Sequence, residues 1–207
     1  MRIFTLLLVS SAVLALFSCN SNSNSDVDND ILDNLKNIEE TDLNVSNTVK
    51  KEVGDLYSVE IPSDLTITTS LNDDASLQYN NTYAEKYVIV IDESKQDFID
   101  VLKSLGVYDE DKSLADELAD IQITSFGENL TISSQSKVIE TKINGMDTRL
   151  FAFDGLVPSI EQGISYWTGY YVGEENLYTI MAWTLESSKG NFEAEANAIL
   201  QSIEELQ

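Results

Sequence analysis

The order of candidate elements predicts an α+β fold, an antiparallel sheet with helices packed on it. Strand-like segments come first, helix signals follow, three or more strand-like segments come next, and a helical pattern closes the chain. Such grouping, in place of strict alternation, separates α+β from α/β architectures. Between two β-rich runs, Asn144-Gly145 marks a hairpin, because these residues accept the positive φ angles of a tight type I′ turn.

Taken in order, Leu56 to Ile61 alternates and stops at Pro62, which cannot donate to a ladder. Leu65 to Thr69 is a second β-rich segment. Tyr87 to Ile91 is a continuous apolar run, the pattern of a strand covered on both faces. Ser94 with Asp97 reads as a capping-box variant, Phe98, Leu102 and Leu105 as the inward stripe of the helix, and Gly106 as its stop. Ser113 with Asp116 repeats the start signal, and Leu114, Leu118 and Ile121 continue at helical spacing. Thr124 to Ser136 carries no clear period. The hairpin arms are Val138 to Ile143 and Arg149 to Phe153. Two further strands, Gly163 to Val172 and Leu177 to Leu185, are joined through Gly173-Glu174-Glu175-Asn176. The last helix is expected to begin near Asn191 and to bury Phe192, Ala196, Ile199 or Leu200, Ile203 and Leu206. No repeat of 20–50 residues is visible.

Residues 1–18 carry a different message. Met1-Arg2 is followed by an apolar run from Ile3 to Phe17, and polar Asn20-Ser21-Asn22 stops it short of the roughly 20 residues a spanning helix needs. Leu16-Phe17-Ser18-Cys19 resembles the lipobox of bacterial lipoproteins, with Phe17 departing from the usual small or aliphatic occupant. The resemblance implies removal of residues 1–18, diacylglycerol on the Cys19 sulfur and acylation of the new amino terminus. Each buried methylene contributes about 0.8 kcal/mol, so two or three chains hold far better than one. Asn20, where an Asp in Gram-negative lipoproteins often marks inner-membrane retention, leans the expectation towards the outer membrane. Cys19 is the sole cysteine, so no intramolecular disulfide forms.

Twelve basic and 36 acidic residues give a formal charge of −24, and loss of Arg2 on cleavage makes it −25. Such a chain repels nucleic acid and anionic lipid head groups. The expected partners are the membrane through the lipid anchor, and an envelope protein or glycan. Residues 19–54 read as the anchor and an acidic flexible tether, and 55–207 as one domain. Within the tether, Ile31, Leu32, Leu35 and Ile38 recur at helical spacing. Asp26, Asp28 and Asp30 are spaced like the opening of a calcium loop, but Ile31 stands where that loop needs Gly and Asn37 where it needs Glu. No metal or cofactor is expected.

The chain has no histidine, which removes Ser-His-Asp and Cys-His catalysis and the usual zinc ligands. It has no phosphate-binding glycine loop either. Carboxylates remain, with Glu140, Asp154, Asp92 and Glu93 as the candidates for glycoside hydrolysis. The aromatic group Tyr166, Trp167, Tyr170, Tyr171, Tyr178 and Trp183 reads first as core. In Gly163–Val172, Ile164, Tyr166, Tyr170 and Val172 share one face and Trp167 and Tyr171 the other. If exposed, Trp167 and Tyr171 are the surface for a sugar ring or a partner protein. The expectation is a non-catalytic binding or scaffolding domain on an envelope lipoprotein, with a carboxylate-based glycosidase as the alternative.

Tyr57-Ser58-Val59-Glu60-Ile61-Pro62 resembles the opening of PsbP-like domains, and Leu177-Tyr178-Thr179-Ile180 followed by the Phe192–Ile203 helix resembles their close. This resemblance covers about residues 55 to 206. It implies an α/β/α sandwich that binds or scaffolds, with no shared catalytic residues to transfer.

Overall fold

The apolar run around Val88-Ile89-Val90 becomes β5 (Lys86–Ser94), and all three side chains are fully buried, as a strand covered on both faces requires. The computed structural model describes residues 47–157 and 162–206. The signal segment, Cys19, the calcium-like aspartates and the tether as far as Ser46 lie outside the described residues.

The remaining strands are β1 (Thr48–Val53), β2 (Tyr57–Pro62), β3 (Thr66–Ile67), β4 (Leu77–Asn81), β6 (Thr131–Gln135), β7 (Ile139–Ile143), β8 (Met146–Val157), β9 (Gln162–Val172), β10 (Asn176–Leu185) and β11 (Glu204–Glu205). The helices are α1 (Lys95–Leu105), α2 (Leu114–Asn129) and α3 (Lys189–Ser202). Eight strands form one sheet in the order β3-β4-β5-β10-β9-β8-β6, with β7 also on β8, and β1-β2-β11 form a second. All pairings are antiparallel, so the α+β class stands. After β5 the chain leaves the sheet through α1 and α2 and re-enters at the far edge as β6. Strands β7 to β10 then return by successive pairings until β10 closes on β5.

Both faces of the large sheet are covered, giving the layer order helix, sheet, helix. On one face Phe98 and Leu102 of α1 and Leu118, Ala119 and Phe126 of α2 meet Tyr166, Tyr170, Phe151, Phe153 and Leu177. On the other, Phe192, Ala196, Ile199 and Leu200 of α3 and Tyr57, Val59 and Ile61 of β2 cover Trp167, Tyr171, Tyr178 and Ile180.

The local signals act as expected at most ends. Ser94 Oγ accepts from Asp97 N and Ser113 Oγ from Asp116 N. At Gly106 (φ 70°), Val107 N–H donates to Leu102 O and Gly106 N–H to Lys103 O, the Schellman pairing. Asn144 and Gly145 take φ values of 47° and 88° between β7 and β8, and Asn144 Nδ2 also donates to Ile203 O.

Three expectations are corrected, and one unassigned stretch takes a definite structure. Thr48–Val53, assigned to the tether, is a strand, because register with β2 satisfies the backbone of a polar segment that composition alone reads as mobile. Leu65–Thr69 keeps only two ladder residues, Thr66 and Ile67. Leu105 is 62% exposed, since the apolar partners of α1 end at Leu102. The unassigned 124–136 stretch is the end of α2 followed by β6, whose register shifts between Ile132 and Ser134 at an irregularity that hides the alternation.

One glycine is required by packing. A Cβ on Gly169 would lie 2.1 Å from Tyr171 Oη and 2.5 Å from its ring carbon Cζ. The Tyr171 ring lies back over Gly169, so that its hydroxyl donates to Leu200 O of α3 at 2.7 Å. Gly169→Ala should therefore cost about 1–3 kcal/mol, in the range of overpacked core sites, measured as a lowered urea midpoint at unchanged m-value. A loss under about 0.5 kcal/mol would refute this account of the position.

Candidate functional site

Trp167 and Tyr171 do share a strand face, but the face is interior. Trp167 is 1% exposed and Tyr171 fully buried. The Trp167 ring meets Phe192 of α3 edge-on, with centroids 5.9 Å apart and planes at 89°. Burial pushes the Tyr171 hydroxyl well above its ordinary range. These two residues are core, as the first reading of the aromatic group has it, and they offer no exposed surface to a sugar ring or partner. The physical reason is that β9 lies between β8 and β10 in a sheet covered on both sides, so neither alternating set reaches solvent.

The four candidate carboxylates are dispersed. Asp92 and Glu93 are neighbours on β5 and point to opposite faces. Glu140 on β7 is in register with Arg149, and that register continues through Tyr170 and Thr179 to Ile91, two rows from the Glu93–Leu177 pair. Four strand spacings therefore separate Glu140 from Glu93, about 19 Å at 4.8 Å each. Asp154 and Asp92 share the α3 face, but their rows lie about six residues apart along the strands, or about 20 Å. Two-carboxylate glycoside hydrolysis needs about 5–10 Å. The geometry does not supply it with these residues.

Asp154 is the centre of a different arrangement. Its Oδ1 accepts from Ser165 Oγ at 2.6 Å and its Oδ2 from Lys189 Nζ at 2.8 Å. Asp154 and Ser165 are register partners on β8 and β9, and Lys189 opens α3 above them. Glu193, one turn on, is pushed up by burial, opposed by Lys189 and reinforced by Asp154. Thr184, in register with Ser165, is buried, and its hydroxyl has no partner among the described residues. Ser165 is 1% exposed, so no substrate reaches its hydroxyl, and Lys189 neutralises the carboxylate. This cluster fixes the start of α3 on the sheet.

A second cluster was not anticipated. Arg149, the sole arginine after Arg2, is buried in β8. Nε donates to Asp116 Oδ1 at 2.5 Å and Nη2 to Asp116 Oδ2 at 3.2 Å and Ser113 Oγ at 2.9 Å. Nη1 donates to Asp147 Oδ1 at 2.8 Å and Thr148 O at 3.0 Å. All five guanidinium donors are engaged, so none is left for an anionic ligand. The hydrogen bond from Arg149 holds the Asp116 carboxyl below its ordinary range. Ser113 and Asp116 thus cap α2 and also dock it. The signal in the sequence was the rarity of arginine in so acidic a chain.

No group of three or more metal-capable side chains occurs among the described residues, and none of the described helices is long and apolar enough to cross a membrane. No protein-family model and no curated protein matches the sequence. Solved structures do. LpqN of Mycobacterium tuberculosis, described as involved in cell envelope biogenesis, superposes with a TM-score of 0.55 over 78% of this chain and 91% of its own, at 9% identity. That likeness is one of fold. The solution structure of cyanobacterial PsbP from Synechocystis sp. PCC 6803 gives 0.49 over 82% of this chain and 99% of its own, at 10% identity.

Two consequences can be measured. Arg149→Met strands two aspartates at the α2–β8 junction and should cost about 2–4 kcal/mol, less than a wholly buried pair because both carboxylates are partly exposed. A denaturation midpoint equal to that of the parent would refute the docking role. Glu93 is pushed from 4.5 up to about 7, first by burial and then by Asp92. Between those values the folded protein holds a proton that the unfolded chain has released, so stability falls as pH rises through that window. Glu93→Gln should stabilise by about 1–3 kcal/mol at pH 8 and by nothing measurable at pH 4. A pH-independent difference between the two proteins would sink the assignment.

Proposed function

We propose that this chain is an exported lipoprotein, held to the bacterial envelope by lipid on Cys19, whose α+β domain binds or scaffolds and does not catalyse. The observation that carries the reading is the apolar run Ile3–Phe17 ending in Leu16-Phe17-Ser18-Cys19, with no second cysteine to compete for another role. LpqN, similar in fold, is a protein of cell envelope biogenesis, which agrees with an envelope address. The buried Asp154 and Arg149 and the half-buried Lys189 are engaged in fixing helices to the sheet, which favours binding over chemistry. Tyr57–Pro62 and Leu177–Ile180, the segments that resemble PsbP-like domains, are β2 and part of β10, and the layer order is the one that resemblance implies. Asn20 favours the outer membrane, with the acidic segment after Cys19 holding the domain away from the bilayer. The partner is an envelope protein or glycan, met on a surface other than the Trp167–Tyr171 face. The glycosidase alternative loses support with its dispersed carboxylates.

Replacing Cys19 by Ala should abolish incorporation of a fatty-acid analogue and release the protein from the membrane fraction. Undiminished labelling would reject the anchor. For the binding reading, a glycan array and a pull-down from envelope extract, both with the soluble form from Ser21 onward, separate a glycan from a protein partner.

A further inference from the structure

Strand β7 (Ile139–Ile143) is an edge of the large sheet, paired with β8 and with no other described strand. The two-residue turn Asn144-Gly145 makes Ile143–Met146 a hydrogen-bonded pair, and alternation then sets the direction of every backbone group in β7. Ile139, Thr141 and Ile143 turn their N–H and C=O towards β8. Glu140 and Lys142 turn theirs outward. The side chains of these two residues are exposed, and neither has an ion pair or hydrogen bond among the described residues. From Thr131 to Met146 the chain carries Lys137 and Lys142 against one acid, Glu140, whereas the whole chain stands at −24. This edge therefore lacks the excess of acid that repels a second copy over the rest of the chain.

We propose that β7 is the pairing edge for β7 of a second copy, antiparallel, with Thr141 opposite Thr141 on a two-fold axis. The strand Ile139-Glu140-Thr141-Lys142-Ile143 is complementary to its own reverse. In that register Glu140 faces Lys142 of the second copy and Lys142 faces its Glu140, so the outward backbone groups meet in hydrogen-bonded pairs. The neighbouring registers that keep this hydrogen-bond phase centre on Glu140 or on Lys142, and each sets like charges opposite one another. Every row of side chains continues across the axis. On one face Asp147, Lys142, Glu140 of the second copy and its Arg149 alternate in sign. On the other face Met146, Ile143, Ile139 of the second copy and its Leu150 are all apolar. A lysine on an edge strand ordinarily discourages pairing. Here Glu140 of the second copy meets it in one register and one orientation. Pairing over five residues buries less than the roughly 1,200 Å² of a standard interface, so the contact is weak in dilute solution. The inference goes beyond the binding reading above and depends neither on it nor on lipid at Cys19.

The test is oxidative trapping of the purified full chain, in mild detergent, carrying Cys19→Ala so that one introduced thiol is the sole cysteine. Facing residues of a non-hydrogen-bonded antiparallel pair have Cα atoms about 4.5 Å apart, within disulfide reach. Thr141→Cys should therefore form covalent dimer about tenfold faster than Thr131→Cys on β6, by local concentration. Random collision favours the opposite order, because Thr131 is exposed and Thr141 half-buried. Two further variants carry Glu140→Lys or Lys142→Glu in the Thr141→Cys background. Each alone opposes like charges at both pairs and should trap about tenfold more slowly than its parent. Their equimolar mixture again opposes unlike charges and should recover the parent rate, with the mixed dimer as product. Both charged positions are exposed, so folding is not at stake. Equal rates for the two thiols, charge variants that trap alone as fast as the parent, or a mixture that stays slow would each overturn the proposal.

Discussion

The pairing of β10 with β5 is the constraint on which the other parts depend. Eight register pairs, from Asn176–Ser94 to Trp183–Tyr87, join the end of a meander to a strand laid down some 90 residues earlier. Because Val88, Ile89, Val90, Ile180, Met181 and Ala182 are all buried, both faces of this seam must be covered. Two helix layers follow from that requirement, α1 and α2 on one side and α3 with the small sheet on the other. The crossover through α1 and α2 follows too, since the chain must pass over the sheet to start the meander at its far edge.

Charge is organised around the same seam. In a chain of net charge −24 most carboxylates stay at the surface, where repulsion is solvated. Three of the cations are placed where helices meet the sheet. Arg149 docks α2 through Asp116, Lys189 docks α3 through Asp154, and Lys86 on β5 reaches Glu195 of α3 at 2.6 Å and Asp64 at 3.2 Å. Lys112 pairs with Asp120 on the outer side of α2. Cations held in this way are spent on fixing helices to the sheet.

The α3 side shows how close approach replaces a site with packing. Gly169 leaves room for the Tyr171 ring, Tyr171 then reaches the Leu200 carbonyl, and Trp167 meets the edge of Phe192. Aromatic pairs of this kind add about 0.5–1.5 kcal/mol beyond area burial. A face so filled has no opening for a sugar ring.

Local physics was legible in the sequence wherever a signal acts over a few residues. The serine caps, the Gly106 stop, the Asn144-Gly145 turn and the period of β5 depend on adjacent residues and were readable as such, as were the α+β order and the exclusion of histidine chemistry. Tertiary structure decided what depends on neighbours distant in sequence. Alternation puts Trp167 and Tyr171 on one face of β9, but only α3, arriving about 20 residues later, makes that face interior. Polar Thr48–Val53 reads as tether until β2 supplies its hydrogen bonds. Asp154 reads as a free carboxylate until Ser165 and Lys189 enclose it, and Arg149 shows no role until Ser113 and Asp116 are brought to it from more than 30 residues away. Sequence fixes the period of a strand and the cap of a helix because those energies are local; burial and pairing are sums over neighbours that only the fold assembles.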